Sequence, residues 1–212
     1  MRKVVILINS LDGLFSFRKE VIQRLVENGF AVTISAPNNK KLNYFKNLGC
    51  KYIETAIDRR GKNPISDLKL LIKYIRIMNE EKPEIVLTYT IKPNVYGGIA
   101  CRIMNIPYIV NITGLGTSIE NKGLISKISL FLYKLGLKKA ECVFFQNQRN
   151  IQFFKNKNIF NHKIRLIPGS GVNLNQYKFE DYPESDDIIK FIFIGRIMKD
   201  KGIKELLEAS EK

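Results

Sequence analysis

The chain has 212 residues and a formal net charge of +15, with 45% hydrophobic and 26% charged residues. This is the composition of a globular protein with enough apolar material for a full core. No apolar run reaches the ~20 residues that a membrane-spanning helix needs, and the first run, VVILI, is too short for a signal peptide. The positive charge favours polyanionic partners: nucleic acid, nucleotide phosphates or an anionic membrane surface.

Short apolar runs alternate with helical patterns along the whole chain. The predicted strands are Val4–Ile8, Phe30–Ala36, Lys51–Thr55, Ile85–Tyr89, Tyr108–Ile112, Cys142–Gln146, Ile164–Ile167 and Phe191–Ile194. The predicted helices are Arg18–Asn28, Lys40–Leu48, a helix stopped by Pro83 with Ile65, Leu68, Leu71, Ile72, Ile75 and Met78 on one face, Asn94–Met104, Leu124–Leu137 and Ile203–Ala209. This alternation predicts an α/β fold: a doubly wound, Rossmann-like parallel sheet with helices on both faces.

Ligands of such sheets bind at the carboxyl ends of the strands, so the loops after the first, fourth, fifth, sixth and seventh strands are candidate ligand loops. Glycines concentrate in these loops, where they let the backbone approach a ligand and offer N–H groups to anions. A single glycine more often just ends a strand, but a shared edge makes the set informative. The set comprises Gly13, Gly97, Gly114, Gly116, Gly169 and Gly171.

Two loops place cations where a helix begins. Arg196 and Lys201 flank a basic loop with glycines before the last helix, and an arginine can hold phosphate oxygens bidentately while a lysine adds a point charge. In the sequence KPN, Lys92 lies near a predicted helix start, where a cation is unfavourable unless it meets an anionic partner. Both loops could instead be ordinary turns with solvated basic side chains.

The helix Leu124–Leu137 has an apolar row and a basic row. Lys127, Lys134 and Lys138 form the basic row, a pattern typical of a helix that lies on anionic lipid. Packing of the same apolar row against the core is the alternative. The apolar row consists of Leu124, Ile128, Phe131, Leu132 and Leu135.

Metal and thiol chemistry are not indicated. Cys50, Cys101 and Cys142 are widely spaced and form no CxxC pair, so we expect buried thiols in a reducing cytoplasm. The single histidine, His162, lies in a polar turn away from the predicted ligand edge. No DxD motif occurs in the sequence. The adjacent pair Asp186 and Asp187 lies in a polar, acidic stretch from 173 to 187 that we predict to be a linker, so it is not a candidate metal site.

Four segments in order, YTIKPNVYGGIACRIMNIPYIVNITGLGTSIEN, VFFQNQRNIQFF, LIPGSGVNLNQY and FIFIGRIMKDKGIKELLEA, resemble bacterial glycosyltransferase family 4 proteins of the GT-B fold, in particular those that build capsule, O-antigen or other lipid-linked glycans. The resemblance implies two Rossmann-like domains: an acceptor-side domain at 1–172, the linker 173–187, and the start of a nucleotide-sugar donor domain at 188–212. It also implies retaining transfer from a UDP-sugar to an undecaprenyl-diphosphate-linked acceptor, without a cofactor or an obligatory metal.

The resemblance carries over to individual residues. Arg196 and Lys201 match the arginine and lysine that hold the donor diphosphate, and there they would stabilise charge on the leaving group. Gly13 and Gly171 are expected beside the donor diphosphate. The acceptor side is expected to include Lys92, Asn94, Thr113 and Gly114.

The sequence departs from the family at several points. Many members have a histidine after strand five where this chain has Thr113 and Gly114, and the common GSGVD pattern reads GSGVN. A later motif with two glutamates is not present within the 212 residues, so we expect this chain to be a fragment that does not transfer sugar alone.

Three other functions remain open. A basic nucleotide- or membrane-binding Rossmann protein would share the fold without transferring sugar. A Rossmann oxidoreductase would need a GxGxxG motif after the first strand, which is absent. A nucleic-acid-binding protein would fit the charge, but no basic-aromatic recognition motif occurs, so we expect no nucleic acid partner.

Overall fold

A computed structural model describes residues 1–59, 61, 63–115, 123–159, 163–182, 188–195, 197 and 201–211. Contacts divide the chain into two compact units, Met1–Gly171 and Val172–Lys212. The first unit contains a seven-stranded sheet in the order β3-β2-β1-β4-β5-β6-β7. All six neighbouring pairs are parallel, which confirms the predicted doubly wound α/β fold.

The strands are β1 (Lys3–Leu7), β2 (Ala31–Ala36), β3 (Lys51–Glu54), β4 (Ile85–Tyr89), β5 (Tyr108–Ile112), β6 (Cys142–Phe145) and β7 (Ile164–Leu166). The helices are α1 (Leu11–Glu27), α2 (Leu42–Asn47), α3 (Pro64–Glu81), α4 (Gly98–Ile103), α5 (Leu124–Leu137), α6 (Gln148–Asn156) and α7 (Ile203–Ser210). A wide helical turn, Pro93–Gly97, leads directly into α4.

The sheet separates two apolar clusters because successive side chains of a strand point to opposite faces. In β1, Val4 and Ile6 pack with α1 and α2, whereas Val5 and Leu7 pack with α3, α4, α5 and α6. Both faces of the central strands are therefore covered, which explains why these strands read as continuous apolar runs. The three cysteines are buried and unbridged, as predicted, and burial raises the pKa of Cys50 to about 11 and that of Cys101 to about 12.

Backbone meets backbone where α5 crosses the start of α4. A side chain on Gly98 would clash with the carbonyl group of Gly136, and a Cβ on Gly136 would lie 2.8 Å from the Cα of Val95. The Tyr108 hydroxyl donates a hydrogen bond of 2.7 Å to the same Gly136 carbonyl. Glycine at these two positions lets α5 pack directly on the segment that leaves β4.

Two predictions about helices are corrected by the structure, and one helix was not predicted. α1 begins at Leu11 instead of Arg18, because the Ser10 side chain caps it and most of the predicted loop is its first turns. In α3, Leu70, Tyr74, Ile77 and Met78 are buried, while Ile65, Leu68 and Ile72 are exposed. The six predicted apolar residues do share one side of the helix, but the side that packs on the sheet is that of Leu70, Tyr74 and Ile77, and only Met78 is among both the predicted and the buried residues. α6 was not predicted, although Asn147 provides its amino-terminal cap.

In the second unit, α7 forms as predicted, but residues 191–194 do not form a strand. The residues that the structure describes in this unit include no strand for them to pair with, and an isolated strand leaves its backbone groups without partners. Phe191, Ile192 and Ile194 are exposed there. The assignment of the linker and of the two domain roles stays a prediction.

The Gly98–Gly136 contact leads to a stability prediction. We expect Gly98→Ala to lower the free energy of unfolding by about 1–3 kcal/mol or more, because the new methyl group must displace backbone atoms. Gly114→Ala is the matched control: its Cβ meets nothing within 4 Å, so we expect a change within about 0.5 kcal/mol. Urea denaturation followed by circular dichroism measures both. Equal midpoints for Gly98→Ala and the wild type would show that the contact does not constrain the fold.

Candidate functional site

The strand order reverses between β1 and β4, because β2 and β3 extend the sheet to one side and β5, β6 and β7 extend it to the other. In open parallel sheets, ligands bind at the carboxyl ends of the strands at such a reversal. Residues 8–13 leave the sheet there after β1, and residues 90–97 leave it after β4. These two segments are the centre of the candidate site.

The segment after β1 forms a helix start instead of the expected glycine loop. Ser10 accepts a hydrogen bond of 3.2 Å from the backbone N–H of Gly13, which lies in the first turn of α1. A Cβ on Gly13 would meet only the Ser10 side chain, at 3.7 Å. The fold therefore does not require glycine at this position, and the placement of Gly13 beside a diphosphate stays a prediction.

The segment after β4 has an unusual backbone. Thr90 has a φ of 73°, in the left-handed region that a β-branched residue rarely adopts. Its hydroxyl donates a hydrogen bond to the carbonyl of Tyr89, and the wide turn Pro93–Gly97 follows. Strained backbone conformations and wide helical turns of this kind occur preferentially at functional sites. The backbone of residues 90–97 therefore supports this segment as part of a functional site.

Lys92 is paired inside this segment. Its ammonium group donates to Asp67 Oδ1 over 2.6 Å, and the Tyr96 hydroxyl donates to Asp67 Oδ2 over 2.8 Å. The lysine and aspartate side chains are only 12% and 16% exposed. Burial, and then the hydrogen bond to Asp67 and its negative charge, raise the pKa of Tyr96. Lys92 thus lies at the expected edge of the sheet, but it forms an ion pair with Asp67, which the sequence did not predict.

Asn94, predicted as an acceptor contact, is almost completely buried. Its side-chain amide donates a hydrogen bond of 2.9 Å to the backbone carbonyl of Asn111, so it ties the wide turn to β5. Its Oδ1 has no partner among the described residues. Burial raises the pKa of the neighbouring Tyr133, and the Asn94 side chain opposes that shift. Asn94 is therefore a buried residue that holds the wide turn against β5, and it is not exposed to a ligand in this structure.

Exposed residues follow the outer strands at the same edge. Thr113 and Gly114 come directly after β5 and are exposed, whereas Gly116 belongs to residues 116–122, which lie outside the described part. After β7, Gly169 and Gly171 have φ values of 76° and 71°, which favour glycine. Gly97, by contrast, is a packing residue, because a Cβ there would lie 2.6 Å from a methyl group of Leu7.

The donor-side prediction concerns the second unit. Lys201 is exposed, and it precedes Gly202, whose φ of 72° leads into α7. Arg196 lies outside the described residues. Within the first unit, the structure brings the strand-end segments with Lys92, Asn94, Thr113 and Gly114 to one edge of the sheet.

Sequence reasoning missed two charged residues near the reversal. Asp67, in the first turn of α3, forms the pair with Lys92 described above. Arg18 is 8% exposed and lies on the sheet-facing side of α1, with its guanidinium carbon 5.6 Å from the centre of the Tyr89 ring. The signal for Arg18 is its spacing, because it continues the apolar row of Leu14 and Ile22. For Asp67 no sequence signal was available.

The outer face of α5 is apolar and basic. Leu124, Ile128 and Phe131 are 74%, 49% and 60% exposed, while Tyr133 and Leu137 are the apolar side chains that the helix buries. Leu132 and Leu135 are partly buried. Three of the five residues in the predicted apolar row are therefore exposed, so the alternative that the whole row packs into the core is wrong.

The described residues also bear on metal ions and on the membrane. In the described part of the chain, no three His, Cys, Asp or Glu side chains come close enough to hold a metal ion, and His162 lies outside that part. None of the helices described there is long and apolar enough to span a bilayer.

Comparison with solved structures places the fold. A glycosyltransferase from Rickettsia africae matches with a TM-score of 0.62 at 17% identity, over 84% of this chain and 45% of that one. Anabaena HepE in complex with UDP and glucose matches with a TM-score of 0.61 at 14% identity, over 85% of this chain and 47% of that one. At these identities the likeness shows a Rossmann-like fold shared with GT-B glycosyltransferases, as predicted.

Comparison of sequences identifies the family. The chain is 26% identical to the Campylobacter jejuni N,N'-diacetylbacillosaminyl-diphospho-undecaprenol alpha-1,3-N-acetylgalactosaminyltransferase, over 93% of this chain and 57% of that relative. It thus spans little more than half the length of this relative. The model of the glycosyl transferase 4-like family matches residues 4–147, and the chain belongs to that family.

Proposed function

We propose that this chain forms the acceptor side of a glycosyltransferase that moves a sugar from a UDP-sugar to an undecaprenyl-diphosphate-linked saccharide, with retention, in surface polysaccharide synthesis. One observation carries the proposal: three of the four segments that resemble family 4 run through or directly after the carboxyl ends of β4, β5, β6 and β7, and the first of them leaves β4 at the reversal between β1 and β4. The Campylobacter relative, named for a lipid-linked acceptor, and the structure with bound UDP support the substrate classes.

The proposed roles follow from charge and position. Lys92 meets an acceptor phosphate while Asp67 and Tyr96 hold it in place, and Thr113 and Gly114 border the acceptor. Gly13 and Gly171 lie next to the donor diphosphate, which Arg196 and Lys201 bind. Cations at that position stabilise the negative charge that develops on the departing UDP, so the reaction needs no obligatory metal ion.

The acceptor role implies a contact with the lipid surface. We assign it to the outer face of α5, where exposed Leu124, Ile128 and Phe131 can enter the interface while Lys127 and Lys134 meet anionic headgroups. The protein would then be cytoplasmic and peripheral, on the inner face of the plasma membrane. A basic Rossmann protein without transfer activity would share this surface, so membrane binding alone does not identify the enzyme.

Acceptor binding tests the role of Lys92. We expect the 212-residue chain to bind a polyprenyl-diphosphate-linked sugar, and Lys92→Met to weaken binding about tenfold or more, because a charge-assisted hydrogen bond to phosphate is lost. Lys92→Arg should recover part of the affinity. Lys69→Met, which removes an exposed lysine of α3, is the control and should bind like the wild type. Unchanged affinity of Lys92→Met in calorimetric titration would contradict the role of Lys92.

Sugar transfer tests the division of labour. We expect the purified 212-residue chain to transfer no radiolabelled sugar from UDP-sugars to a lipid-linked acceptor, since the proposed donor side requires more than residues 188–212. A longer protein that contains this chain should transfer it. Turnover by the 212-residue chain itself would refute its assignment as an acceptor side alone, and lack of turnover by the longer protein would favour a binding protein.

Vesicle sedimentation tests the outer face of α5. We expect Phe131→Asp to lower binding to phosphatidylglycerol-containing vesicles roughly tenfold, since a buried aromatic side chain contributes about 1.5–3 kcal/mol. Phe17→Asp is the matched control, because Phe17 of α1 is 58% exposed and Phe131 is 60% exposed. Binding should fall with added salt and be weaker on pure phosphatidylcholine. Equal losses for both variants would show that α5 is not the contact.

A further inference from the structure

A single arginine interrupts the sheet-facing row of α1. The buried positions of this helix are Leu11, Leu14, Arg18 and Ile22, spaced so that all four face the sheet. Three of them are apolar and fully buried, and Arg18 is 8% exposed. A charge at a core-facing position breaks the pattern of the helix, and natural proteins break such patterns mainly at functional sites.

The contacts of Arg18 leave its charge uncompensated. Its Nη1 donates a hydrogen bond of 2.6 Å to the carbonyl of Phe17, and its guanidinium lies over the ring of Tyr89. Burial raises the pKa of Tyr89, and the charge of Arg18 and its hydrogen bond to the tyrosine side chain oppose that rise, but a neutral tyrosine is not a counter-charge. No carboxylate of the described residues comes within ion-pair distance of it. Arg24 of the same helix is exposed, and it forms an ion pair with Glu27. The buried arginine thus lacks the partner that the exposed one has.

Elsewhere in the first unit, two ion pairs give buried or half-buried side chains a partner of opposite charge, which Arg18 lacks. Asp67 meets Lys92, and Glu81, which is buried, accepts hydrogen bonds from Lys51 and Thr33. A buried charge without a counter-charge is strongly unfavourable, and contact with an aromatic ring offsets only part of that cost. A guanidinium also has five N–H donors, and its flat fork fits two oxygens of a phosphate.

Arg18 also lies where ligands of this sheet type bind. Tyr89 is the last residue of β4, and Leu7 at the end of β1 pairs with Thr88. Arg18 therefore contacts the carboxyl end of β4, the strand that pairs with β1 at the reversal, on the face covered by α1. Lys92 belongs to the segment after the same strand but pairs with α3, on the opposite face.

We propose that Arg18 binds a phosphate group of a ligand at the reversal between β1 and β4, and that this anion supplies its missing counter-charge. The site itself is independent of sugar transfer, and only the source of the phosphate rests on the proposed function. That source is either a nucleotide diphosphate or a lipid-linked diphosphate, since both present the same oxyanion.

Thermal unfolding of the 212-residue chain with inorganic pyrophosphate tests the site. We expect pyrophosphate at about 100-fold above its Kd to raise the Tm of the wild type by about 5 °C or more. Arg18→Met keeps the length of the side chain without the charge. It should unfold no lower than the wild type without pyrophosphate, because it removes an uncompensated buried charge, and it should lose the response to pyrophosphate.

Arg24→Met is the matched control on the same helix and should keep the full response. If Arg18→Met unfolds at a lower temperature than the wild type and still responds to pyrophosphate, Arg18 is a structural residue and the proposal fails. It also fails if the wild type shows no response. These outcomes do not depend on transfer activity, so a failure of the proposed function leaves them interpretable.

Two further ligands distinguish the sources of phosphate. If UDP raises the Tm of the wild type and not that of Arg18→Met, the anion comes from the nucleotide. If farnesyl diphosphate behaves in this way, it comes from the lipid-linked substrate. If Arg18→Met responds like the wild type to both ligands, Arg18 binds neither and the proposal is overturned.

Discussion

The parallel pairing of β1 with β4 is the constraint on which the rest of the first unit depends. It joins Val4 to Ile85 and Leu7 to Thr88 across 81 residues of sequence, and the remaining strands extend the sheet outward from this pair on both sides. Because parallel neighbours end at the same edge, the pairing also brings the start of α1 and the strained segment at Thr90 together. One pairing thus builds the core and defines the place where a ligand can enter.

The composition and the strand–helix alternation were sufficient to predict the sheet, because β4 and β5 are apolar runs bounded by proline and polar residues. Local pattern was less informative where a competing signal was present. The cap at Ser10 starts α1 seven residues before the predicted start. Residues 191–194 have strong strand character, but a strand needs a neighbour, and the neighbour is a property of the tertiary fold.

The candidate site was predictable in position and only partly in chemistry. Lys92 could be placed at the edge because it follows β4 directly, but Asp67 comes 25 residues earlier in the chain and only the folded helices bring it there. Asn94 resembled a ligand contact because it follows Lys92, whereas the wide turn directs it inward. Arg18 was missed because the helix was predicted to begin at Arg18 itself, so its place in the apolar row of Leu14 and Ile22 was not recognised.

The close approach of Gly98 and Gly136 has a mechanical consequence. Contacts between flexible side chains can absorb a displacement by changing rotamers, but two backbones in direct contact have no such freedom. A displacement of α5 must therefore also displace the backbone of Val95 and with it the turn Pro93–Gly97, which follows Lys92. The orientation of α5 thus also sets the orientation of the backbone that leaves β4.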